Sequence, residues 1–271
     1  MIIKNLATTP FEEIIKCFTA SFSDYAVKMP TDPNYWKERW SLSNVDYRYS
    51  FGMFDGERLV GFIINAVGHR FGHLTAHNSG TGVLPEYRGQ RIIKKIYAYA
   101  IPKLKKNGFT KTTLEVIKGN TVAVKAYQSV GYKIIHGFLC YNGLINLDWE
   151  HNCQVRKVDK NIEMLSNQKE YSWDFQYESL QNGDYSYYQV WNQNKIESNF
   201  ILQNKKPMLA QFDVKNPKDE GAWKNLFSAI QACSIHVGIN NVHEQSVEKV
   251  IFLKRIKIPM VLEQYQMEML I

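Results

Sequence analysis

The 271-residue chain is poor in cysteine, with only Cys17, Cys140, Cys153 and Cys233. None forms a CxxC pair and none has a His pair nearby, so neither a zinc-binding spacing nor a disulfide framework is present. Four reduced thiols in a cytosolic protein are the expectation, with no bound metal. Long apolar runs are also missing. No stretch approaches the roughly 20 residues needed to span a bilayer, and Met1-Ile2-Ile3-Lys4-Asn5 lacks the apolar core of a signal peptide. The sequence therefore predicts no membrane partner and a cytoplasmic location. A third absence is a continuous basic segment. The formal net charge is +7, which suits an anionic partner such as a phosphate-rich cofactor. The basic residues are scattered, however, with short clusters such as Lys103, Lys105 and Lys106. They lack the length and aromatic interleaving of a nucleic-acid arm, so nucleic acid is not an expected partner.

What the chain does have is core-forming material for two domains. Apolar residues make up 45%, with 16 Tyr and 14 Phe, which excludes a disordered chain. A helix is signalled at Thr9-Pro10-Phe11-Glu12, where Thr9 would cap, Pro10 would take the first helical position and Glu12 would complete a capping box. Its apolar face runs through Ile14, Ile15, Phe18 and Phe22. A second helix is predicted from Tyr35 to Trp40. A hairpin follows, with strands at Tyr49 to Phe54 and Leu59 to Asn65 around the Asp55-Gly56 turn. The pattern then alternates. Leu74 to Leu84 is extended, Arg91 to Lys106 helical, and Thr112 to Ile117 extended. Asn120 caps a helix that Gly131 ends, and Tyr132 to Tyr141 is a last strand. This order predicts an α/β fold with a mixed sheet covered by helices.

A polar linker is read at Asn146 to Asn152, dividing a domain at 1–145 from another at 153–271. The second half repeats the element order faintly. Tyr185 to Tyr188 and Ile196 to Leu202 form a hairpin around Asn192-Gln193-Asn194. Phe212-Asp213-Val214 precedes Pro217 and a helix through Trp223, Leu226 and Ile230. Ile235 to Ile239, Asn241 with a following helix, and Val261 to Met269 complete the repeat, so the chain reads as a duplication.

Chemistry concentrates between Val83 and Lys95. A strand ends, the chain turns sharply, and a helix opens. The first N–H groups of that helix have no internal partner and carry the positive end of its dipole, so they can hold a phosphate. Arg88, Arg91 and Lys94 add charge at the same mouth. The residues alone equally describe a strand-to-helix turn with a solvated basic rim.

Val83-Leu84-Pro85-Glu86-Tyr87-Arg88-Gly89-Gln90 resembles the acyl-coenzyme A loop of the GNAT superfamily of N-acetyltransferases. Asn120-Thr121-Val122-Ala123-Val124-Lys125-Ala126-Tyr127, ending at Val130-Gly131-Tyr132, is similar to that family's following motif. The resemblance implies two tandem GNAT-like domains and an acetyl-coenzyme A-dependent N-acetyltransferase acting on a small-molecule amine or a peptide. It implies that the strand of Val83 splays from its neighbour. Main-chain groups of Val83, Leu84 and Pro85 would hold the pantetheine arm, with Arg88, Gly89, Gln90, Arg91, Ile92, Ile93 and Lys94 around the phosphates. Asn120 and Ala123 would lie beside the arm, and Tyr127 would protonate the departing thiolate. One departure stands out, because the family pattern has small residues where this chain has Arg91 and Ile93. Positions inside the first turn of a helix need no positive φ, so both side chains are expected to fit.

An alkyl amine is protonated at neutral pH and must lose a proton to attack. Glu115, His77 or a water chain are the candidate bases. The second half keeps Pro217 and Gly221 but lacks the arginine and adds Asp219 and Glu220. Glu248 stands seven residues after Asn241, where Tyr127 follows Asn120. That half reads as a degenerate copy without an intact cofactor loop, whose aromatic strand at Tyr185 to Trp191 serves either core packing or an acceptor wall. A non-catalytic acyl-coenzyme A-binding or sensing module is the alternative. A homodimer is compatible with the chain.

Overall fold

The computed structural model describes residues 1–25, 27–149, 153–160 and 167–271. Residues 150–152 of the expected linker lie outside the described residues. The fold is mixed α/β and resolves into two compact units, one of Met1–Ile135 with Tyr265–Ile271 and one of His136–Gln264. No helix among the described residues is long and apolar enough to cross a membrane.

In the first unit the chain runs β1 (Ile2–Asn5), α1 (Phe11–Ser21), α2 (Pro33–Leu42), β2 (Phe51–Asp55), β3 (Arg58–Arg70), β4 (His73–Val83), α3 (Ile92–Lys106), β5 (Lys111–Ile117) and α4 (Thr121–Gln128). Strands β1 to β4 pair antiparallel in chain order, and β4 pairs parallel with β5. The end of the last strand of the chain lies on the far side of β5. There Lys111 meets Glu268 at 3.2 Å and Ile271 N donates to Thr110 O at 3.0 Å. Ile14, Ile15 and Phe18 recur at helical spacing, so α1 buries one stripe. Phe18 packs on Trp36, Trp40 and Phe62. From α3, Ile92, Ile96, Tyr97, Ala100 and Leu104 enter the same core.

Two local expectations fail here. The capping box is absent. Pro10 is itself the N-cap, at ψ 140° and without a side-chain cap bond, so α1 starts at Phe11 and Glu12 falls one position too early. The hairpin strand starts at Phe51, because Tyr47–Tyr49 form a 3₁₀ turn capped by Asp46.

The second unit takes β6 (Lys133–Leu144) from His136 onward, then β7 (Gln154–Val158), α5 (Tyr177–Leu180), β8 (Tyr185–Asn192), β9 (Lys195–Gln203), β10 (Leu209–Val214), α6 (Glu220–Cys233), β11 (His236–His243), α7 (Val247–Arg255) and β12 (Met260–Leu270) as far as Gln264. Strands β10-β9-β8-β7 form one antiparallel sheet, and β11 pairs antiparallel with β6. The core is built around Phe212, Trp223, Phe227 and Phe252. In the aromatic strand, Tyr188 stacks on Phe200 at 4.7 Å and Trp191 lies under Arg156 at 4.2 Å.

Candidate active site

Strands β4 and β5 are paired at Thr75–Lys111, Ala76–Thr112, His77–Thr113 and Asn78–Leu114, and no further. Past that point β4 continues to Val83 and β5 to Ile117 as separate strands. The split coincides with a bulge. Asn65 faces Asn78 and Ile64 faces Gly80, which leaves Ser79 as the extra residue. A bulge bends its strand and increases its twist, so β4 leaves β5 where the ladder breaks. The polar and glycine-rich run His77-Asn78-Ser79-Gly80-Thr81-Gly82 is the sequence signal for this feature.

Beyond the opened strand lies the loop. Leu84 is buried, with its N–H on Val60 O at 3.0 Å. Pro85–Tyr87 make one 3₁₀ turn. Side chains tie this turn to the β2–β3 hairpin: Tyr87 Oη donates to Asp55 Oδ2 at 2.8 Å, and Arg58 meets Glu86 at 2.6 Å. The first helical bond of α3 runs from Lys95 N to Arg91 O at 3.1 Å. Among the described residues, the amides from Gly89 to Lys94 therefore have no backbone acceptor and remain available to an anion. Gln90 and Lys94 are exposed beside them, Ile92 is buried and Ile93 is half-buried.

Arg91 is the N-cap of α3 and sits at φ 56°, ψ 30°, in the left-handed region. This corrects the expectation that it lies within the first turn and needs no positive φ. Gly89 has φ 78°, so the chain makes two left-handed steps to bring the amides round, and only the first has a glycine. Arg88 is committed elsewhere. Its guanidinium makes a two-pronged pair with Asp24, at 2.5 and 2.8 Å, and donates to Ser21 O at 3.0 Å and Val83 O at 3.4 Å. It therefore fastens the loop to the end of α1. The Asp24 carboxyl is held below its usual range by those hydrogen bonds from Arg88.

Helix α4 closes the other side of the opening. Asn120 is its N-cap, and Oδ1 accepts from Ala123 N at 3.1 Å. Tyr127, two turns on, is only 9% exposed. Its ring packs edge-on to Tyr97 at 6.4 Å and Tyr132 at 5.8 Å. Burial pushes the phenol well above its ordinary pKa, and the neighbouring Thr81 of β4 acts in the opposite sense. Tyr127 thus stays protonated across the neutral range.

The two candidate bases occupy different surroundings. His77 is 3% exposed, lies in the paired part of the sheet, and has Nδ1 2.9 Å from Thr113 Oγ1. Glu115 is half-buried and is the first β5 residue beyond the pairing, at the mouth of the opening.

Residues 11–132 match the profile of the acetyltransferase (GNAT) family. They form a GNAT acetyltransferase domain. The chain as a whole has the tandem GNAT fold. It aligns over 99% of its length with 98% of a tandem GNAT protein from the clavulanic acid biosynthesis pathway, at TM-score 0.66 and 10% identity. It aligns over 99% with 95% of a GCN5-related N-acetyltransferase from Sphaerobacter thermophilus, at TM-score 0.70 and 8% identity. A GCN5-related N-acetyltransferase from Anabaena variabilis gives 0.59 at 9% identity, over 98% of this chain and 72% of that one. No curated protein sequence matches the chain significantly.

The second GNAT-like unit repeats the opened strands but fills the gap. β10 and β11 meet at a single parallel bridge, Met208–Gly238, and then part. Tyr171 and Lys249 occupy the space beyond. Lys249 Nζ lies 2.7 Å from Asp213 Oδ1, Tyr171 Oη donates to Asp213 Oδ2 at 2.5 Å, and Phe212 N donates to Tyr171 Oη at 3.1 Å. At α6 the N-terminus is satisfied by its own Asp219, whose Oδ1 accepts from Ala222 N at 3.2 Å. The expected counterpart of Tyr127 also changes. Asn241 lies inside β11 at φ 59°, and Ser246 is the N-cap of α7. Seven residues after that N-cap stands Leu253, a fully buried core residue, rather than Glu248.

Proposed function

We propose that the first unit transfers an acetyl group from acetyl-coenzyme A to a primary amine by direct attack within a ternary complex. The observation that carries this reading is the Tyr127 hydroxyl, nine-tenths buried beside the gap between β4 and β5. The local chemistry fits a coenzyme A thioester. The free amides from Gly89 to Lys94 suit its pyrophosphate, with Lys94 and Gln90 alongside, and the unpaired edge of β4 from Ser79 to Val83 suits the amides of its arm. Arg91 contributes both a backbone N–H and a charge. Asn120 and Ala123 shape the side formed by α4, through the cap bond that fixes the start of the helix.

In the reaction, the amine nitrogen attacks the thioester carbonyl carbon, and the carbon–sulfur bond breaks with its electron pair going to sulfur. Tyr127 supplies the proton that makes the thiol. The attacking nitrogen loses a proton to Glu115, directly or through water; His77, hydrogen-bonded within the sheet, is the weaker candidate. The acceptor is a small-molecule amine or a peptide amine. Retention of the acyl-coenzyme A site without turnover is the second reading, favoured only by Arg91 and Ile93 replacing small residues.

The test is thiol release from acetyl-coenzyme A across a panel of small amines and peptides, with calorimetry in parallel. Turnover in wild type, with Tyr127→Phe losing about 100-fold or more in kcat at unchanged cofactor affinity, is the expected result. Binding without turnover on any amine would leave the sensing module.

A further inference from the structure

The basic residues form no run, but the acidic ones leave one segment empty. Residues 87–114 hold eight of the 33 basic residues and none of the 26 acidic ones, so elsewhere 25 bases face 26 acids. The positive excess of the whole chain is therefore the charge of one loop, one helix and the strand that follows. Two of the eight are paired, Arg88 with Asp24 and Lys111 with Glu268. Lys103 lies over the Tyr99 ring at 4.6 Å. Arg91, Lys94, Lys95, Lys105 and Lys106 are exposed and have no ion pair among the described residues. With the exposed Ala98 and Pro102 between them, they recur at helical spacing and form one stripe along α3, opposite the buried Ile92, Ile96 and Leu104. From Lys94 to Lys106 the stripe runs about 18 Å. Resting on the reading of the first unit as an acyl transferase, we infer that this stripe docks an acidic carrier protein that presents the acyl group on a phosphopantetheine arm.

Helix electrostatics call for an anion at the front of the stripe. A helix N-terminus favours acidic side chains, yet α3 has none in its first turn and carries Arg91, Lys94 and Lys95 there. The corresponding helix of the second unit is ordinary. Glu220 stands in the first turn of α6 and pairs with Lys224 at 3.0 Å and Arg255 at 2.7 Å. The cationic stripe thus belongs to the unit whose strands are open. At its far end, Lys105 and Lys106 suit the helix dipole, but they stand too far from the amides of Gly89 to Lys94 to touch a phosphate held there. A small cofactor leaves that end unused, whereas a protein surface covers it. An acidic carrier fits the whole arrangement. Its arm ends in the same thioester, offers the same amides to β4, and is joined to the protein by a single phosphodiester. The amides before α3 and Arg91 can hold that one phosphate while Arg88 stays with Asp24. Acidic side chains of the carrier meet lysines at both ends of the stripe, and the short Ala98 and Pro102 let its backbone approach between them. The reaction is unchanged: the carbon–sulfur bond of the arm breaks, and the arm leaves as a thiol with the proton from Tyr127.

The probe is an acyl carrier protein charged with acetyl, compared with acetyl-coenzyme A and with acetylated phosphopantetheine alone as donors to one amine. The carrier should exceed the bare arm in kcat/KM by about tenfold or more, the order that charge steering adds to association. Lys105→Glu combined with Lys106→Glu should remove that gain. Kinetics with acetyl-coenzyme A should stay as in wild type, which also shows that the double variant is folded. Calorimetry with the carrier bearing a free thiol gives a readout independent of turnover. Wild type should form a one-to-one complex that weakens as ionic strength rises, and the double variant should not. A carrier no better than the bare arm, or one whose kcat/KM and binding survive the charge reversal, overturns the proposal. So does a salt-dependent complex with single-stranded RNA that the double variant abolishes while carrier kinetics stay the same, because the stripe would then serve nucleic acid. Absence of turnover with every donor, acetyl-coenzyme A included, would instead remove the underlying reading of the unit as a transferase.

Discussion

Arg91 concentrates the tension between backbone and side chain at this site. Its φ of 56° is a conformation that costs a residue with a Cβ about 1 kcal/mol or more relative to glycine. The strain is tolerated because the turn before α3 must bring its amides to one face, and Gly89 takes only the first of the two left-handed steps. Arg91→Gly removes the clash but gives the unfolded chain more freedom, so the gain is partly offset. A stabilisation of about 0.5–1 kcal/mol is expected for the first unit, read from its thermal unfolding transition. Arg91→Lys should give none, because it keeps the Cβ. Equal stability of the glycine and lysine variants would show that the left-handed conformation carries no penalty here. The sequence displayed the unusual residue at this position but not its dihedral angle. The start of a helix can be judged from capping patterns only to within a residue or two, and here that margin decides whether Arg91 is helical or left-handed.

Elements were legible in the sequence wherever periodicity was strong, and they blurred where one residue decided a boundary. The stripe Ile14, Ile15, Phe18 and the Asp55-Gly56 turn were plain. The four-residue edge strand Ile2–Asn5 was not, because it is too short to alternate clearly and is largely exposed. The opening between β4 and β5 could be expected only through family resemblance, since a splay is a property of two strands that meet in space. The bulge and the bonds from Asn78 to Thr81 and Tyr97 behind it depend in the same way on contacts distant in sequence. The packing of α1 on β4 is another such case. A Cβ at Gly82 would stand 2.6 Å from Phe62 Cζ and 2.8 Å from Ser21 Cβ, and Ser21 is the last residue of α1. Gly82→Ala must therefore push the end of α1 away from the strand. The same end carries the Ser21 carbonyl and leads to Asp24, both held by Arg88 of the loop. The expected cost is about 1–3 kcal/mol of stability, together with a several-fold weaker affinity for acetyl-coenzyme A, because the loop is moved with its anchor. Calorimetry and thermal unfolding check the two effects. A destabilised variant with unchanged affinity would separate the anchor from the loop.

At the scale of the whole molecule, the same strand-opening device occurs twice with opposite outcomes. In the first unit the space beyond the paired segment reaches the buried phenol of Tyr127. In the second, Tyr171, Asp213 and Lys249 fill it with a closed set of polar contacts. Lys249 also lies over the Phe212 and Tyr171 rings, at 4.6 and 5.0 Å. The side chains of Lys249 and Asp213 are 7% and 22% exposed. This is a largely desolvated ion pair, whose partners tolerate separation poorly although the pair itself adds little net stability. Two expectations follow from one arrangement. Acetyl-coenzyme A should bind with a stoichiometry of one per chain, since Asp219 already caps α6 and the gap is occupied. Lys249→Met should cost about 3 kcal/mol, because it leaves the Asp213 carboxylate in the interior with only Tyr171 as partner. Adding Asp213→Leu to Lys249→Met should return part of that loss, which a purely additive pair of substitutions could not do. Chemical denaturation of Lys249→Met, Asp213→Leu and the double variant measures the coupling, and calorimetry on the double variant measures the stoichiometry. If the double variant bound a second equivalent, the ion pair itself would be what closes the second site. A stoichiometry still at one would assign the closure to Tyr171, the Asp219 cap and the missing loop together.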